Sequence, residues 1–518
     1  MSGKKTAFSF SVMFLLLSGA VALMPTQGWS QLAAGKGTFL GNAITTGLFW
    51  PNYSAYWNQV TPGNAGKWGS VEGGQDSYNW VPLDDIYNFA INNRYPFRYH
   101  CLVWGQQQPR WIASLDSASQ RAQVEEWIRL AGEKYGSTSF VDVVNEPFHA
   151  VPSYAIGLGG NGSTGWDWVV TAFRLARQYF FPGVKLTLNE YSILHDNNAT
   201  SNLLRLVDTL RVRGLIDAIG IQGHSFEFKG DGYIHSPGAI KFNLQRLTAT
   251  GVPVYITEFD INDPNDSLQL HYYQQYFPIF WEEPGVKGIT FWGYMQGDMW
   301  QVNGYLIRSN GTERPALQWL RKYINSPLPP VLISPSGTAG EPRNPLLKWR
   351  SSATATSYHV QLTASALFGG TMPVDTIVAD TVLRVDPLDA NIRYYWRVSA
   401  VNDSGAGSYS TVAIFTTGDQ VVAVEETEGR AMGFMLEQNY PNPFNPTTVV
   451  SSQLPVVSNV KLAIYDLLGR EVAVLVDERR AAGNYQDTFD GSGLASGVYV
   501  CRMTAGSYVS SRQMILIK

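Results

Sequence analysis

The amino-acid sequence predicts an α/β protein, a (β/α)8 TIM barrel followed by two small all-β sandwich modules. Its 518 residues exceed what one hydrophobic core supports, so several domains are expected. From residue 39 to about residue 325, short β-rich runs alternate with amphipathic helical stretches. Beyond residue 326 the strands alternate instead with Gly, Pro and Ser turns, which is typical of β-sandwiches.

The alternating region contains eight candidate strands, the number that closes a barrel. They cover residues 39–45, 59–64, 97–104, 140–146, 185–190, 216–224, 253–260 and 286–293. Helical patterns such as residues 119–135 and 165–179 lie between them. No Gly-x-Gly-x-x-Gly motif follows the first strand, which disfavours a dinucleotide-binding sheet.

Residues 1–31 have the pattern of a secretory signal peptide. Lys4 and Lys5 precede an apolar run from Ala7 to Leu23, and small and polar residues follow as far as Gln31. Ser and Gly residues interrupt the apolar run, which favours a cleaved signal over the alternative of a membrane anchor. We therefore expect no transmembrane segment in the mature chain.

The composition limits the kinds of ligand and cross-link. The net charge is −4 and only 15% of the residues are charged, so no basic field is present to bind nucleic acid. Aromatic residues make up 13% of the chain, which suits flat neutral ligands such as sugars; a large aromatic core is the alternative. The two cysteines, Cys101 and Cys501, are interpreted as small buried apolar residues rather than as parts of a disulfide framework.

Changes in sequence character divide the chain into predicted segments. The barrel covers residues 33–326, and a stiff Pro-rich stretch at residues 326–330 leads into the first sandwich module, residues 327–418. An acidic linker at residues 419–432 separates this module from the second one, residues 433–518. With no further signal for binding, both modules are interpreted by default as spacers.

Two glutamates follow apolar strands at the face where barrel enzymes place their active sites. The fourth strand ends in DVVNEP, which contains Glu146, and the seventh ends in YITEFD, which contains Glu258. Glycoside hydrolysis needs a proton donor at the leaving oxygen and a carboxylate at the anomeric carbon. Either glutamate alone fits a helix cap or a salt bridge, but strands four and seven face each other across a barrel, which favours a catalytic pair.

Polar residues on the same face strengthen this interpretation. Asn145 is an amide beside Glu146, although an amide that closes its own loop is the alternative. Gln222 and His224 end strand six, and His100 and Trp104 lie on strand three, where neutral imidazoles and amides would orient a nucleophile and a sugar. A metal site is the rival interpretation of the two histidines, but no third ligand stands at helical or hairpin spacing. We expect neither a metal nor a cofactor.

Two tryptophans follow the eighth strand. Trp292 and Trp300 flank the stretch GYMQGDM and predict an aromatic floor for a sugar ring. Packing in the core is the alternative for either ring.

The barrel region resembles family 10 glycoside hydrolases, the xylanases, over roughly residues 35–325. The matching motifs, in order, are TPGNAGKW (61–68), HCLVW (100–104), DVVNEP (142–147), IQGH (221–224), ITE (256–258), and WG (292–293) with Trp300. The resemblance implies a retaining endo-1,4-β-xylanase that acts on xylan or xylo-oligosaccharides. A β-1,4-glucanase or an exo-acting enzyme on the same barrel, and an inactive glycan-binding protein, are the alternatives.

The resemblance also implies a role for each site residue. Glu146 is the expected general acid/base, Glu258 the nucleophile, and Asp260 a support for His224. The implied substrate-binding residues are Asn64, Lys67, His100, Trp104, Asn145, Gln222, His224, Trp292 and Trp300. Two positions depart from the family pattern, since Gly63 stands where the family usually has Glu and Gly105 where it commonly has His. We interpret both departures as changes in affinity for individual sugar units.

The two β-modules carry resemblances of their own. Trp349 with YHVQL (358–362) and YYWRV (394–398) resembles a fibronectin type III module through Thr417. The motifs LEQNYPNPFNP (436–446), IYDLLGR (464–470) and LASGVY (494–499) resemble the C-terminal sorting domain of type IX secretion substrates. That resemblance implies the type IX secretion machinery as a partner, and a secreted or cell-surface protein exported across both bacterial membranes.

Overall fold

Eight parallel strands form one barrel sheet, as predicted. They are β1 (Phe39–Ile44), β2 (Val60–Pro62), β3 (Arg98–Val103), β4 (Phe140–Asn145), β5 (Lys185–Glu190), β6 (Ala218–Ile221), β7 (Val254–Phe259) and β8 (Val286–Phe291). Their spatial order is β2-β1-β8-β7-β6-β5-β4-β3. A parallel bridge between Val60 and Phe97 joins the two ends of this order and closes the barrel.

The structure is a computed structural model that describes residues 31–44, 52–230, 232–421, 434–506 and 508–517. The predicted signal peptide lies outside the described residues except for Gln31, and so does most of the predicted acidic linker. Thr45, the last residue of the first predicted strand, is also outside them. The chain divides into one unit up to Gln420 and a second unit from Val421.

Nine helices accompany the strands in the described part of the barrel. They are α1 (Tyr53–Tyr56), α2 (Trp68–Val71), α3 (Val81–Asn92), α4 (Ser117–Tyr135), α5 (Asp167–Tyr179), α6 (Asn197–Arg211), α7 (Pro237–Thr248), α8 (Asp266–Trp281) and α9 (Pro315–Asn325). Short 3-10 helices (Arg110–Ser114 and Ser225–Glu227) and two small hairpins (Glu72–Gly74 with Ser77–Tyr78, and Lys229–Gly230 with Tyr233–Ile234) fill the loops. Among the described residues, no helix combines the length and apolarity needed to cross a membrane.

Aspartate side chains explain where the two predicted helices begin. Helix α4 starts two residues before the predicted position because the Asp116 carboxylate accepts hydrogen bonds from the N–H groups of Ala118 and Ser119, both at 2.9 Å. Helix α5 starts later than predicted because the Asp167 carboxylate holds the preceding turn, accepting from the N–H of Thr164 at 3.1 Å.

The barrel core is rich in tryptophan. The Trp127 ring is fully buried between the rings of Trp68 and Trp80, with centroids 5.7 and 5.5 Å away and nearly parallel planes. Its indole N–H donates to the Leu102 carbonyl at 2.9 Å, so the ring's one polar atom is satisfied. This stack attaches helix α4 to the outer face of strand β3.

Two β-sheets follow helix α9 within the first unit. One contains Leu332–Ser334, Leu346–Trp349 and Val382–Arg384; the other contains Thr338–Glu341, Ser357–Thr363, Val374–Val378, Arg393–Asn402, Gly405–Tyr409 and Ala413–Thr417. Buried Trp349 and Trp396 lie in their shared core. The all-β character is as predicted, and the fibronectin type III resemblance stays a prediction.

The second unit is also all-β, as predicted. Its two sheets contain Met435–Leu436, Thr447–Leu454 and Gly483–Asp490, and Ser458–Tyr465, Glu471–Arg480, Gly497–Ala505 and Tyr508–Leu516. Leu462, Ile464, Met503 and Met514 are fully buried in its core. Cys501 is buried there and Cys101 is buried in β3; both are free thiols, as predicted.

We predict that Trp127→Ala destabilises the barrel by about 3–5 kcal/mol, because it leaves a cavity between two stacked indoles. The same change at Trp300, which is 51% exposed, should lower the free energy of unfolding by less than about 1 kcal/mol. Urea unfolding followed by far-UV circular dichroism measures both. Equal losses for the two variants would contradict the assignment of Trp127 to the core.

Candidate active site

A cleft of about 490 Å³ lies at the carboxyl ends of the barrel strands. The eleven residues predicted to be catalytic or to bind substrate all line this cleft: Glu146, Glu258, Asn64, Lys67, His100, Trp104, Asn145, Gln222, His224, Trp292 and Trp300. Gln106, Gln107, Tyr191 and Phe226 also line it, and sequence reasoning missed them. The structure therefore brings the predicted set together in one place.

Glu146 stands at the bend where the chain leaves β4. Its φ of +55° is left-handed, and its N–H donates to the Asn189 carbonyl at 2.8 Å, which holds that bend. Its carboxylate accepts hydrogen bonds from the Trp104 indole and the Gln222 amide, both at 2.9 Å. The Asn145 amide nitrogen lies 3.3 Å from the same oxygen as Gln222. These donors are all neutral.

Glu258 has a charged partner instead. One carboxylate oxygen accepts from the Asn189 amide at 2.9 Å, and the other lies 3.3 Å from Nε2 of His224. Nδ1 of His224 lies 2.9 Å from Asp260, and the Trp300 indole donates to the same Asp260 oxygen at 3.0 Å. Asp260 thus lies behind His224, in contact with the ring nitrogen that faces away from Glu258.

Asn189 connects the two halves of the site, and sequence reasoning missed it. Its amide nitrogen also donates to the Asn145 side-chain oxygen at 2.8 Å, and its own oxygen accepts from the Thr257 hydroxyl at 2.7 Å. Strand register places Asn145 opposite Asn189, and Asn189 opposite Gly220. A Cβ on Gly220 would lie 2.4 Å from the Asn189 side-chain oxygen, so glycine makes room for it. The sequence signal was the dipeptide NE at the end of β5, which repeats that at residues 145–146.

The two glutamates have opposite pKa shifts. Burial raises the pKa of Glu146 and the charge of Glu258 adds to the rise, while hydrogen bonds from Gln222 and Trp104 oppose it. Burial on its own would raise the pKa of Glu258 too, but the hydrogen bond from His224, with nearby positive charge, lowers it to about 2. The pair therefore favours a protonated Glu146 beside an ionised Glu258.

The surroundings of His224 favour the protonated ring, whereas the sequence suggested a neutral imidazole. Burial lowers its pKa, but the charge of Asp260 and the hydrogen bonds to Asp260 and Glu258 outweigh burial and raise the pKa to about 10. A protonated ring donates from both nitrogens, which matches one carboxylate on each side. The sequence did not reveal this because it does not show that both carboxylates reach one ring.

His100 and His224 were also candidate metal ligands. Nδ1 of His100 is 2.9 Å from the buried Asp142 carboxylate, and His224 has a carboxylate at each ring nitrogen. Throughout the described ranges, no three His, Cys, Asp or Glu side chains are grouped to hold a metal ion. Both histidines are therefore partnered by carboxylates within the protein.

Lys67 places an ammonium group in the cleft wall. It donates to the side-chain oxygens of Asn64 at 2.9 Å and Gln107 at 2.7 Å, and lies 4.7 Å from the centroid of the Trp104 ring. Burial lowers its pKa. The group can donate to hydroxyls of a bound sugar.

Trp292 and Trp300 differ in exposure. Trp292 is 7% exposed and meets the His100 ring edge-on at 5.2 Å, so it belongs to the cleft wall. Trp300 is 51% exposed and lies 4.7 Å from the His224 ring. Trp300 therefore offers a wide apolar face for a sugar, while Trp292 packs more like a core residue.

The two glycine departures differ in structural consequence. Gly63 lines the cleft, where a missing side chain leaves space for a ligand. At Gly105, a Cβ would lie 2.4 Å from the Ala150 carbonyl oxygen and 2.6 Å from that of Val151. The loop after β4 therefore passes directly over Gly105, and glycine is a packing requirement there rather than only a change in sugar affinity.

Comparison with known proteins places this site in a family. The profile of glycosyl hydrolase family 10 matches residues 29–323, more than half of the chain. The chain belongs to glycosyl hydrolase family 10. A secretion system C-terminal sorting domain matches residues 438–518 of this family 10 protein, which indicates export to a secreted or cell-surface location, as predicted.

Curated relatives of the family 10 domain carry xylanase names. Endo-1,4-beta-xylanase B of Cellvibrio japonicus is 40% identical over 292 residues, which are 55% of this chain and 46% of that protein. Endo-1,4-beta-xylanase 3 of Hypocrea jecorina is 31% identical over 306 residues, 56% of this chain and 84% of that protein. The chain thus spans about half the length of the Cellvibrio relative.

A solved structure shares the fold of the barrel. Xylanase 10B from Thermotoga petrophila, determined in complex with xylobiose, matches with a TM-score of 0.50 at 23% identity. The match covers 58% of this chain and 99% of that one. At this identity the likeness concerns the fold alone.

We predict that Gly105→His destabilises the barrel by about 1–3 kcal/mol, because the new side chain must displace the loop at residues 150–151. Gly73→His is the matched control, since no atom lies within 4 Å of a Cβ there. Urea unfolding reports both. Unchanged stability with altered sugar affinity in Gly105→His would support the affinity interpretation instead.

Proposed function

We propose that the protein is a secreted retaining endo-1,4-β-xylanase, which hydrolyses internal β-1,4-xylosidic bonds of xylan or xylo-oligosaccharides by double displacement. The observation that carries this proposal is the pair Glu146 and Glu258 in one cleft with opposite pKa shifts. Family membership and the xylanase names of the relatives support the substrate class.

In the first step, the ionised Glu258 attacks the anomeric carbon and forms a glycosyl-enzyme. Glu146 is neutral at this point and gives its proton to the leaving oxygen. The raised pKa of Glu146 and the low pKa of Glu258 support these two roles in that order. The reverse assignment would require protonating the group whose charge His224 stabilises.

In the second step, Glu146 acts as a base. Once Glu258 is esterified its charge is gone, so one cause of the raised pKa of Glu146 disappears. Glu146 then takes a proton from water, which attacks from the side that the leaving group vacated and retains the anomeric configuration. The charged His224 stabilises Glu258 as its carboxylate returns.

The neutral amides position the sugar between the two acids. Asn145 and Gln222 both contact Glu146, so a hydroxyl that binds them sits beside the reacting bond. Lys67 with Asn64 supplies further polar contacts from the β2 side of the cleft, and Trp300 offers an apolar face. A neutral polysaccharide needs this mixture of planar polar groups and aromatic surface.

We predict that Glu146→Ala slows xylan hydrolysis by about 10²–10⁴-fold and that Glu258→Ala abolishes it. Reducing sugar released from xylan and from carboxymethyl-cellulose, with product lengths resolved, measures both. Glu133→Ala, an exposed acid on helix α4, is the control and should keep full activity.

The products separate the alternatives. Xylo-oligosaccharides of mixed length support internal cleavage, whereas a product of one length indicates exo action. Preference for carboxymethyl-cellulose would indicate a glucanase. A wild-type protein inactive on both polymers would overturn the proposal in favour of a glycan-binding role.

The pH profile of kcat/KM should reflect both glutamates of the free enzyme. Activity requires ionised Glu258, so it rises with pH through a pKa of about 2, and protonated Glu146, so it falls through a pKa above the ordinary 4.5. His224→Ala removes the donor that lowers the pKa of Glu258. We predict that the acid limb of this variant moves to higher pH while the alkaline limb moves less.

His235→Ala is the control for this experiment, because its ring stacks on His195 at 4.2 Å and does not line the cleft. A His224→Ala variant that loses activity with an unmoved acid limb would mean that His224 only binds sugar.

A further inference from the structure

The first β-sandwich contacts the last two helices of the barrel. The Tyr323 hydroxyl on α9 donates to the Glu282 carboxylate at the end of α8, and lies 3.1 Å from the Ser408 hydroxyl of the sandwich. The Asn402 amide of the sandwich donates to the Asn325 carbonyl at 2.9 Å. These bonds join strands at residues 393–409 to the end of the barrel.

The bond from Asn402 acts as a helix cap. Carbonyl groups in the last turn of a helix have no partner within the helix, and Asn325 is the last residue of α9. The other Asn402 amide atom, its oxygen, accepts from the Ser404 N–H at 2.9 Å, which fixes the orientation of the cap. The sandwich therefore supplies a hydrogen bond that the barrel lacks on its own.

The chain between the two parts is packed rather than extended. Ser326 and Pro327 are buried, although the sequence places them in a Pro-rich spacer. A Cβ added at Gly407 would lie 2.0 Å from the Pro327 carbonyl oxygen, so the sandwich strand runs directly against this segment. Only glycine permits that approach.

A continuous row of aromatic rings leads from this contact to the cleft. The Tyr323 ring lies 6.1 Å from that of Phe277 on α8, and Phe277 lies 6.3 Å from Phe291 at the end of β8. Phe291 directly precedes Trp292, which lines the cleft. The helix that the sandwich caps thus packs behind a wall of the site.

We propose that the sandwich at residues 331–417 is a clamp on the barrel, which caps α9 and holds α8 and α9 against β8 through Asn402, Ser408 and Gly407. Its function is to stabilise the catalytic barrel against unfolding, and a tethered spacer without such contacts is the alternative. This inference concerns stability and does not depend on which polysaccharide is cleaved.

Gly407→Val in the full-length protein tests the clamp, because its side chain must push the strand off Pro327. Gly369→Val is the matched control, since nothing lies within 4 Å of a Cβ at that exposed glycine of the same sandwich. Amide hydrogen exchange read by mass spectrometry follows α9 and β8 directly. We expect exchange in α9 to quicken about tenfold in Gly407→Val and to stay unchanged in Gly369→Val.

Asn402→Ala is the milder second variant, in case Gly407→Val does not fold. It removes the cap on α9 and the bond from the Ser404 N–H, and leaves the packing of Gly407 unchanged. It should lower the melting temperature of the barrel by about 1–4 °C and speed amide exchange at the end of α9. Wild-type and variant kcat and KM at room temperature should agree, because neither Asn402 nor Gly407 lines the cleft. Unchanged exchange in α9 and an unchanged melting temperature in Asn402→Ala would overturn the proposal.

Discussion

The cleft depends on two neighbouring carboxyl groups whose surroundings shift their pKa values in opposite directions. The hydrogen-bond partners of the two carboxylates produce this difference in pKa. Glu258 lies next to the His224 ring, whereas Glu146 accepts only from neutral amide and indole groups. Asp260 behind His224 keeps that ring charged. Because these groups come from strands β3 to β7, the difference in pKa requires these five neighbouring strands to pair in the correct register.

The sequence predicted the fold, and the structure places the two predicted glutamates in one cleft, because both expectations depend on local patterns. Eight β/α repeats, and polar residues directly after apolar strands, can be recognised without knowing which strands are neighbours. Asn189 was missed because its role depends on register, which sets it opposite Asn145 and beside the small residue Gly220. The charge of His224 was missed for the same reason, since its two carboxylate partners lie 34 and 36 residues away in the chain.

The roles of residues that pack against distant backbone could not be predicted from the sequence. Gly105 and Gly407 each carry no chemistry, and each is explained by a carbonyl oxygen that occupies the place of a side chain. The Pro-rich stretch at residues 326–330 has the composition of a spacer, yet contacts with the sandwich bury part of it. Composition describes what a segment prefers when isolated, and tertiary contacts decide whether it is isolated.

The two buried thiols have a consequence for where the protein can work. Cys101 and Cys501 are unpaired, and burial raises the pKa of both, which leaves little of the reactive thiolate. Each module is held together by packing and hydrogen bonds, without a covalent cross-link between these sulfurs. The fold therefore needs no disulfide, so the stability of this exported protein does not depend on an oxidising environment.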